Sequence, residues 1–185
     1  VARYILNQNG LYDVPIERVS GQLSDHYDPQ SRVVRLSTDV YGSSSLAALG
    51  VAAHEVGHAI QHDTGYLPLY IRNTVIPVTQ IGSYAAIPLF MLGLFMGSES
   101  LARLGVLLFG AIVFFQLVTL PVEFNASSRA LATLGGEGFL DATELKGTSK
   151  VLKAAALTYV AAALMAVLQL LRLVVISGFL GGHDD

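Results

Sequence analysis

From Val75 to Ser98 the chain reads VIPVTQIGSYAAIPLFMLGLFMGS, 24 positions without a charged side chain. From Leu104 to Val122 it reads LGVLLFGAIVFFQLVTLPV, 19 more. The hydrocarbon core of a bilayer is ~30 Å thick, and roughly 20 apolar residues of helix cross it. Helix is the form a single run of this length takes there, because each backbone N–H and C=O then finds its partner within the segment. Five residues, Glu99 to Arg103, separate the two stretches, so the spacing predicts a transmembrane helical hairpin over 76–122. Pro77 and Pro88 are tolerable in it when neighbouring helices satisfy the freed carbonyls. A third run, AAALTYVAAALMAVLQLLRLVVISGFL, fills 154–180, and its one charge, Arg172, lies near the far end, where it can snorkel to an interface. With 52% hydrophobic residues, 14% charged and a mean hydropathy of +0.54, the chain is too apolar for an ordinary soluble domain.

Composition narrows the remainder. No cysteine is present, which excludes disulfides and thiolate metal sites. A net charge of −3 gives no sign of a nucleic-acid partner. A first residue of Val rather than Met reads as a fragment or processed product. A hairpin returns the chain to the side it left, so 1–75 and 123–153 share one face of the membrane. That face carries nine basic residues, from Arg3 to Lys153, against Arg103 alone on the other. The bias predicts that the polar part lies in the cytoplasm.

Residues 1–75 have soluble character. ARYILNQNG reads as a short helix ending at Gly10. GQLSDHYDPQSRVVRLS reads as two short strands around the turn Asp28-Pro29-Gln30-Ser31, with Val33, Arg35 and Ser37 facing one way and Val34 and Leu36 the other. The cluster Ser43-Ser44-Ser45 caps a helix over about 44–62, with Gly65 just past its end. In the polar connection of 123–153, Glu137, Asp141 and Glu144 show no helical face. The expected fold is therefore mainly α. It is an integral membrane protein with a helical hairpin and a third membrane helix, plus a small α+β, zincin-like part containing a short β-hairpin.

The predicted helix carries LAALGVAAHEVGHAIQHDTG, in which a carboxylate and two imidazoles interrupt an apolar run, a costly placement unless something compensates it. His54 and His58 are four apart and project from one helical face, where two neutral imidazoles can grip one Zn²⁺. Glu55 lies ~100° round the helix, placed to act as general base on a water rather than as a ligand. Gly57 leaves room for another segment to approach. His62 continues the i, i+4 row, but it is eight residues from His54, about 12 Å along the axis, so it belongs outside the ligand set or in solvent. A catalytic zinc needs a third protein ligand and one position left for water. Gln61 and Thr64 stand where the metzincin pattern needs Gly and His, so that class is excluded. Glu99 falls on the opposite side of the membrane. Glu123, where the second membrane helix emerges beside the histidines, is the predicted third ligand.

The stretches VAAHEVGHAIQ, GLYDVPIERVSGQLSDHYDPQSRVVRLS, LPVEFNASSRA and KAAALTYVAAAL resemble the bacterial YugP-like membrane zinc metallopeptidase family, through nearly the whole chain. Such proteins look like gluzincins and are similar in plan to the HtpX-type membrane proteases. The resemblance implies Zn²⁺ held by His54, His58 and Glu123, Glu55 as catalytic base, and a multi-pass protein of the bacterial inner membrane. Family members usually begin with another membrane helix. Ser127 stands where thermolysin-like gluzincins often carry Asp, which leaves Asn125 or an upstream Asp to orient a ligand histidine. Gluzincins also use a His, Tyr or Arg against the oxyanion, and Arg129 and Tyr41 are the candidates here. The implied substrates are proteins or peptides, membrane proteins above all, with the bilayer as the other partner and self-association left open. The 22–37 hairpin offers an outer strand that an extended substrate can pair with. Two rival readings are an intramembrane protease of the site-2 class and a non-catalytic zinc-binding membrane scaffold.

Overall fold

A computed structural model of the chain describes residues 1–178, so the last two positions of the third apolar run, 179 and 180, lie outside the described residues. The chain divides into two compact units. One comprises Val1–Leu69 with Pro121–Leu157, the other Tyr70–Leu120 with the chain from Thr158 onward.

The first unit opens with helix α1 (Ala2–Gln8). Gly10, at φ +75°, closes it, as Leu11 N–H donates to the Leu6 carbonyl at 2.9 Å. Three strands follow: β1 (Ile16–Val19), β2 (His26–Asp28) and β3 (Val33–Ser37). Their order is β1-β3-β2, with β1 parallel and β2 antiparallel to β3. The hairpin pair is the one the turn residues predict. Asp28 fastens its turn, accepting from Gln30 N–H at 2.9 Å and Ser31 Oγ at 2.6 Å, and binding Arg35 Nη1 at 2.8 Å. The third strand, β1, was not expected. Its four residues carry too short a pattern to announce a parallel partner met across a loop. Nor does the alternation along β3 separate a core face from a solvent face. Val33, Val34, Leu36 and Ser37 are all buried, so side chains on both faces of the strand are covered.

After the short helix α2 (Thr38–Tyr41) comes α3 (Leu46–Asp63). Ser45 caps it, accepting from Ala48 N–H at 3.2 Å. Gly65, at φ +62°, ends it, with Tyr66 N–H on the Gln61 carbonyl at 2.9 Å. The buried stripe of α3, Ala52, Ala53, Val56 and Ile60, packs with Ile5, Leu6, Val34 and Leu36 and with Ala130 and Leu134. This core fixes α3 between the sheet and a later stretch of chain.

Three long helices remain: α4 (Leu67–Met96), α5 (Glu99–Gly136) and α6 (Ala142–Ile176). Each is long and apolar enough to cross a membrane. In the second unit, α4 and α5 approach at small residues. A Cβ on Gly82 would lie 2.8 Å from the Leu108 carbonyl oxygen, and one on Gly105 2.7 Å from that of Ala86. Phe90, Ala102, Val106 and Leu173 form its buried cluster.

The helices begin and end elsewhere than the charge pattern suggests. α4 starts at Leu67, nine positions before 76. The α4–α5 connection is Gly97 and Ser98 alone, with Gly97 at φ +64°, while Glu99 and Arg103 pair within the first turn of α5. α5 continues past Glu123 to Gly136. Asp141 and Glu144, which show no helical face in the sequence, form a capping box at the start of α6. Asp141 Oδ1 accepts from Thr143 and Glu144 N–H at 2.7 and 2.8 Å, and Glu144 Oε2 accepts from Asp141 N–H at 3.0 Å.

Candidate metal centre

His54 and His58 lie one turn apart on α3, and Glu123 lies on α5, all within the first unit. What brings them together is a close helix crossing. A Cβ on Gly57 would sit 2.8 Å from the Ala126 carbonyl oxygen, so only glycine admits the α5 backbone at that distance. Gly57 precedes His58 and Ala126 follows Glu123 by less than a turn, so the crossing carries the carboxylate to the imidazoles.

His54 Nε2 is 3.2 Å from Glu123 Oε2, His58 Nε2 is 3.7 Å from Glu123 Oε1, and the two Nε2 atoms are 3.1 Å apart. Two ligands at ~2.05 Å from one zinc ion, set at the tetrahedral angle, stand about 3.3 Å apart. The observed separations bracket that value. The donor set, two imidazoles and one carboxylate, also suits zinc. The trio can therefore hold a metal ion.

His58 and Glu123 are buried, while His54 is partly open. Burial pushes the His58 imidazole down. The carboxylates of Glu123 and Glu55 beside it outweigh that and raise it above its ordinary value.

Glu55 is buried beside this trio. Its Oε2 accepts a hydrogen bond of 3.0 Å from the backbone N–H of Tyr27 in β2. The sheet explains why that amide is available. Tyr27 stands opposite Val34, whose own N–H donates to the Pro15 carbonyl at 3.0 Å on the β1 side. The Tyr27–Val34 pair is thus a non-hydrogen-bonded one, and Tyr27 turns its N–H outward from the sheet edge onto the carboxylate.

The remaining candidates from the sequence stand outside the trio. His62 Nδ1 is 2.8 Å from the Tyr27 hydroxyl. Tyr41 is half exposed on α2 and lines a cavity of about 410 Å³ with Ile16, Leu36, Val40 and Leu49. Arg129 Nε donates to Asn125 Oδ1 at 2.8 Å. Asn125 touches neither ligand histidine through these bonds, since its Oδ1 accepts from Gln61 Nε2 at 2.9 Å. The residues beside the histidines are others. Ser127 Oγ lies 3.1 Å from His54 Nδ1. Fully buried Gln61 accepts from His58 Nδ1 at 2.9 Å. Its position three residues after His58, on the same helical face, was the available signal.

A family model described as "Putative neutral zinc metallopeptidase" matches residues 1–178. The chain belongs to that zinc metallopeptidase family. Within the family's frame, a curated relative, "Putative membrane protease YugP" of Bacillus subtilis (strain 168), is 56% identical over 184 residues. The match covers 100% of this chain and 81% of that protein. No solved structure matches the chain. A zinc metallopeptidase family agrees with a trio of the zinc-binding donor types, and a relative called a membrane protease agrees with three helices of membrane-crossing length.

Proposed function

We propose that this protein is a zinc-dependent endopeptidase that hydrolyses peptide bonds of membrane-associated proteins at the cytoplasmic surface of the bacterial inner membrane. The observation that carries the reading is the convergence of His54, His58 and Glu123, with Glu55 one residue along the same helix. In gluzincin terms the trio holds Zn²⁺ and Glu55 is the general base. Zinc, when bound there, supplies a Lewis acid and makes a water acidic near neutral pH.

The chain's own residues do the rest. His54, His58 and Glu123 would hold the ion through two imidazole nitrogens and a carboxylate oxygen. Glu55 takes the proton of the attacking water and delivers it to the departing amine. The Tyr27 amide holds the carboxylate until it is needed. β2 is an edge strand whose outward N–H, at Tyr27, is taken by Glu55, so an extended peptide laid along that edge would run past the base without that main-chain bond.

Three helices of membrane-crossing length support a substrate drawn from membrane proteins. The basic residues of the polar segments support the cytoplasmic side. Against a site-2-type intramembrane protease stands the setting of α3, an 18-residue helix packed on a β-sheet and flanked by polar turns. Against a scaffold stands Glu55, a buried carboxylate that a purely structural zinc site does not need.

The test compares Glu55→Gln with the wild type in detergent or liposomes. Zinc content should stay stoichiometric while cleavage of an unfolded membrane protein falls about 10²–10⁴-fold. Unchanged cleavage, or no cleavage by the wild type, overturns the peptidase reading.

A further inference from the structure

Gln61 is fully buried, although a primary amide carries two donors and an acceptor that are costly to leave unpaired. None is left unpaired. Its Nε2 donates to the Val122 carbonyl at 2.8 Å and to Asn125 Oδ1 at 2.9 Å, and its Oε1 lies 2.9 Å from His58 Nδ1. Both partners of the amide nitrogen are pure acceptors in this arrangement. The Val122 oxygen is a carbonyl, and Asn125 Oδ1 already accepts from Arg129 Nε at 2.8 Å. Rotating the Gln61 amide by 180° would set its oxygen against two oxygens and its NH₂ against His58. The orientation is therefore determined by chemistry, with the oxygen toward the imidazole. An oxygen there demands a proton on His58 Nδ1, which leaves the Nε2 lone pair for the ion.

The other imidazole is held differently. Ser127 Oγ beside His54 Nδ1 is a hydroxyl that donates or accepts as needed, so it suits either tautomer. Gln61 also ties the two ligand-bearing helices together, since Val122 and Asn125 flank Glu123 on α5.

We propose that Gln61 is the positioning residue of this centre. It locks His58 in the metal-binding tautomer and clamps α3 to the Glu123 segment, with Asn125 and Arg129 as its outer supports, whereas Ser127 merely accompanies His54. The inference rests on the zinc-site reading above and concerns metal affinity, not turnover.

Two measurements on the full chain in detergent test it. The first is zinc affinity, by competition with a chromophoric chelator, with the visible spectrum of the Co²⁺ form. Gln61→Leu should weaken zinc binding about 10–100-fold and alter the Co²⁺ bands. Ser127→Ala should weaken it clearly less. Zinc binding by Gln61→Leu equal to wild type, with unchanged Co²⁺ bands, overturns the proposal, as does a larger loss in Ser127→Ala. The second measurement needs no variant. In metal-free protein labelled with ¹⁵N-histidine, at a pH where imidazole is neutral, His58 should carry its proton on Nδ1, against the Nε2 preference of imidazole in water. A proton on Nε2 overturns the proposal even if Gln61→Leu fails to fold. Wild-type protein that takes up no stoichiometric zinc sinks both readings. Zinc uptake without hydrolysis sinks the peptidase reading alone.

Discussion

Gly57 on α3 and Ala126 on α5 stand so close that a side-chain carbon on the glycine would lie 2.8 Å from the alanine's carbonyl oxygen. That contact is backbone against the Cα of a glycine, so nothing flexible is there to yield. It lies between the histidine pair and the third ligand, and the metal geometry depends on it. Gly57→Ala must push the helices apart. Overpacking of this kind costs about 1–3 kcal/mol. The variant should lose zinc affinity along with thermal stability, whereas Gly110→Ala, where a Cβ meets open space, should keep zinc affinity and should not lower the melting temperature. Equilibrium dialysis and a melting curve decide it.

Glu123 is buried and sits between two imidazoles, so removing its charge leaves the ligand set one short. A ligand that binds only the folded chain stabilises it by about 2.7 kcal/mol at a hundredfold excess over Kd. Adding a zinc chelator should therefore lower the melting temperature of the wild type. Glu123→Gln should melt at a lower temperature from the outset, and chelator should move it little.

The box formed by Asp141 and Glu144 satisfies amides at the start of α6. Asp141→Ala should cost about 1 kcal/mol of stability, the usual loss for an N-cap. Zinc affinity should stay within a factor of two of the wild type. A fall in zinc affinity larger than the fall in stability accounts for would mean that the cap also positions the centre.

Asp28 gives the acid response a definite sign. Hydrogen bonds from the Ser31 hydroxyl, the Arg35 guanidinium and the Gln30 amide hold its carboxyl well below the usual carboxylate range. A carboxyl depressed by folding stabilises the fold fully above its unfolded pKa of about 3.9, and the benefit fades as pH falls toward the lower folded value. Asp28→Asn should melt below the wild type at neutral pH, and the gap should narrow as pH drops under about 4. A gap that widens in acid would refute the assignment.

The parts legible in the sequence were those written in local pattern. Uncharged runs of membrane-crossing length, the i, i+4 histidines with the intervening glutamate, Ser45 before α3 and Gly65 after it are each set by neighbours in the chain, through hydrophobic transfer, helical periodicity and capping. Even Glu123 could be singled out, by following where an apolar helix comes back out of its run. Boundaries were less legible. α4 begins at Leu67, ahead of Arg72 and the uncharged run, and Asp141 with Glu144 cap α6 through hydrogen bonds that helical periodicity does not display.

Local pattern determined that this chain has membrane-length helices and a histidine pair able to take a metal. Tertiary structure set how closely Glu123 meets that pair and which further groups serve it. Glu123 Oε2 reaches His54 at 3.2 Å through a crossing that only Gly57 permits, Gln61 turns its oxygen to His58, Ser127 stands beside His54, and a β1 strand completes a sheet whose outward amide meets Glu55. The reason is physical. Helical period and hydrophobicity act over a few residues, but a hydrogen bond between positions 61 and 125, or 27 and 55, exists only after the core has packed and set the distance between its elements.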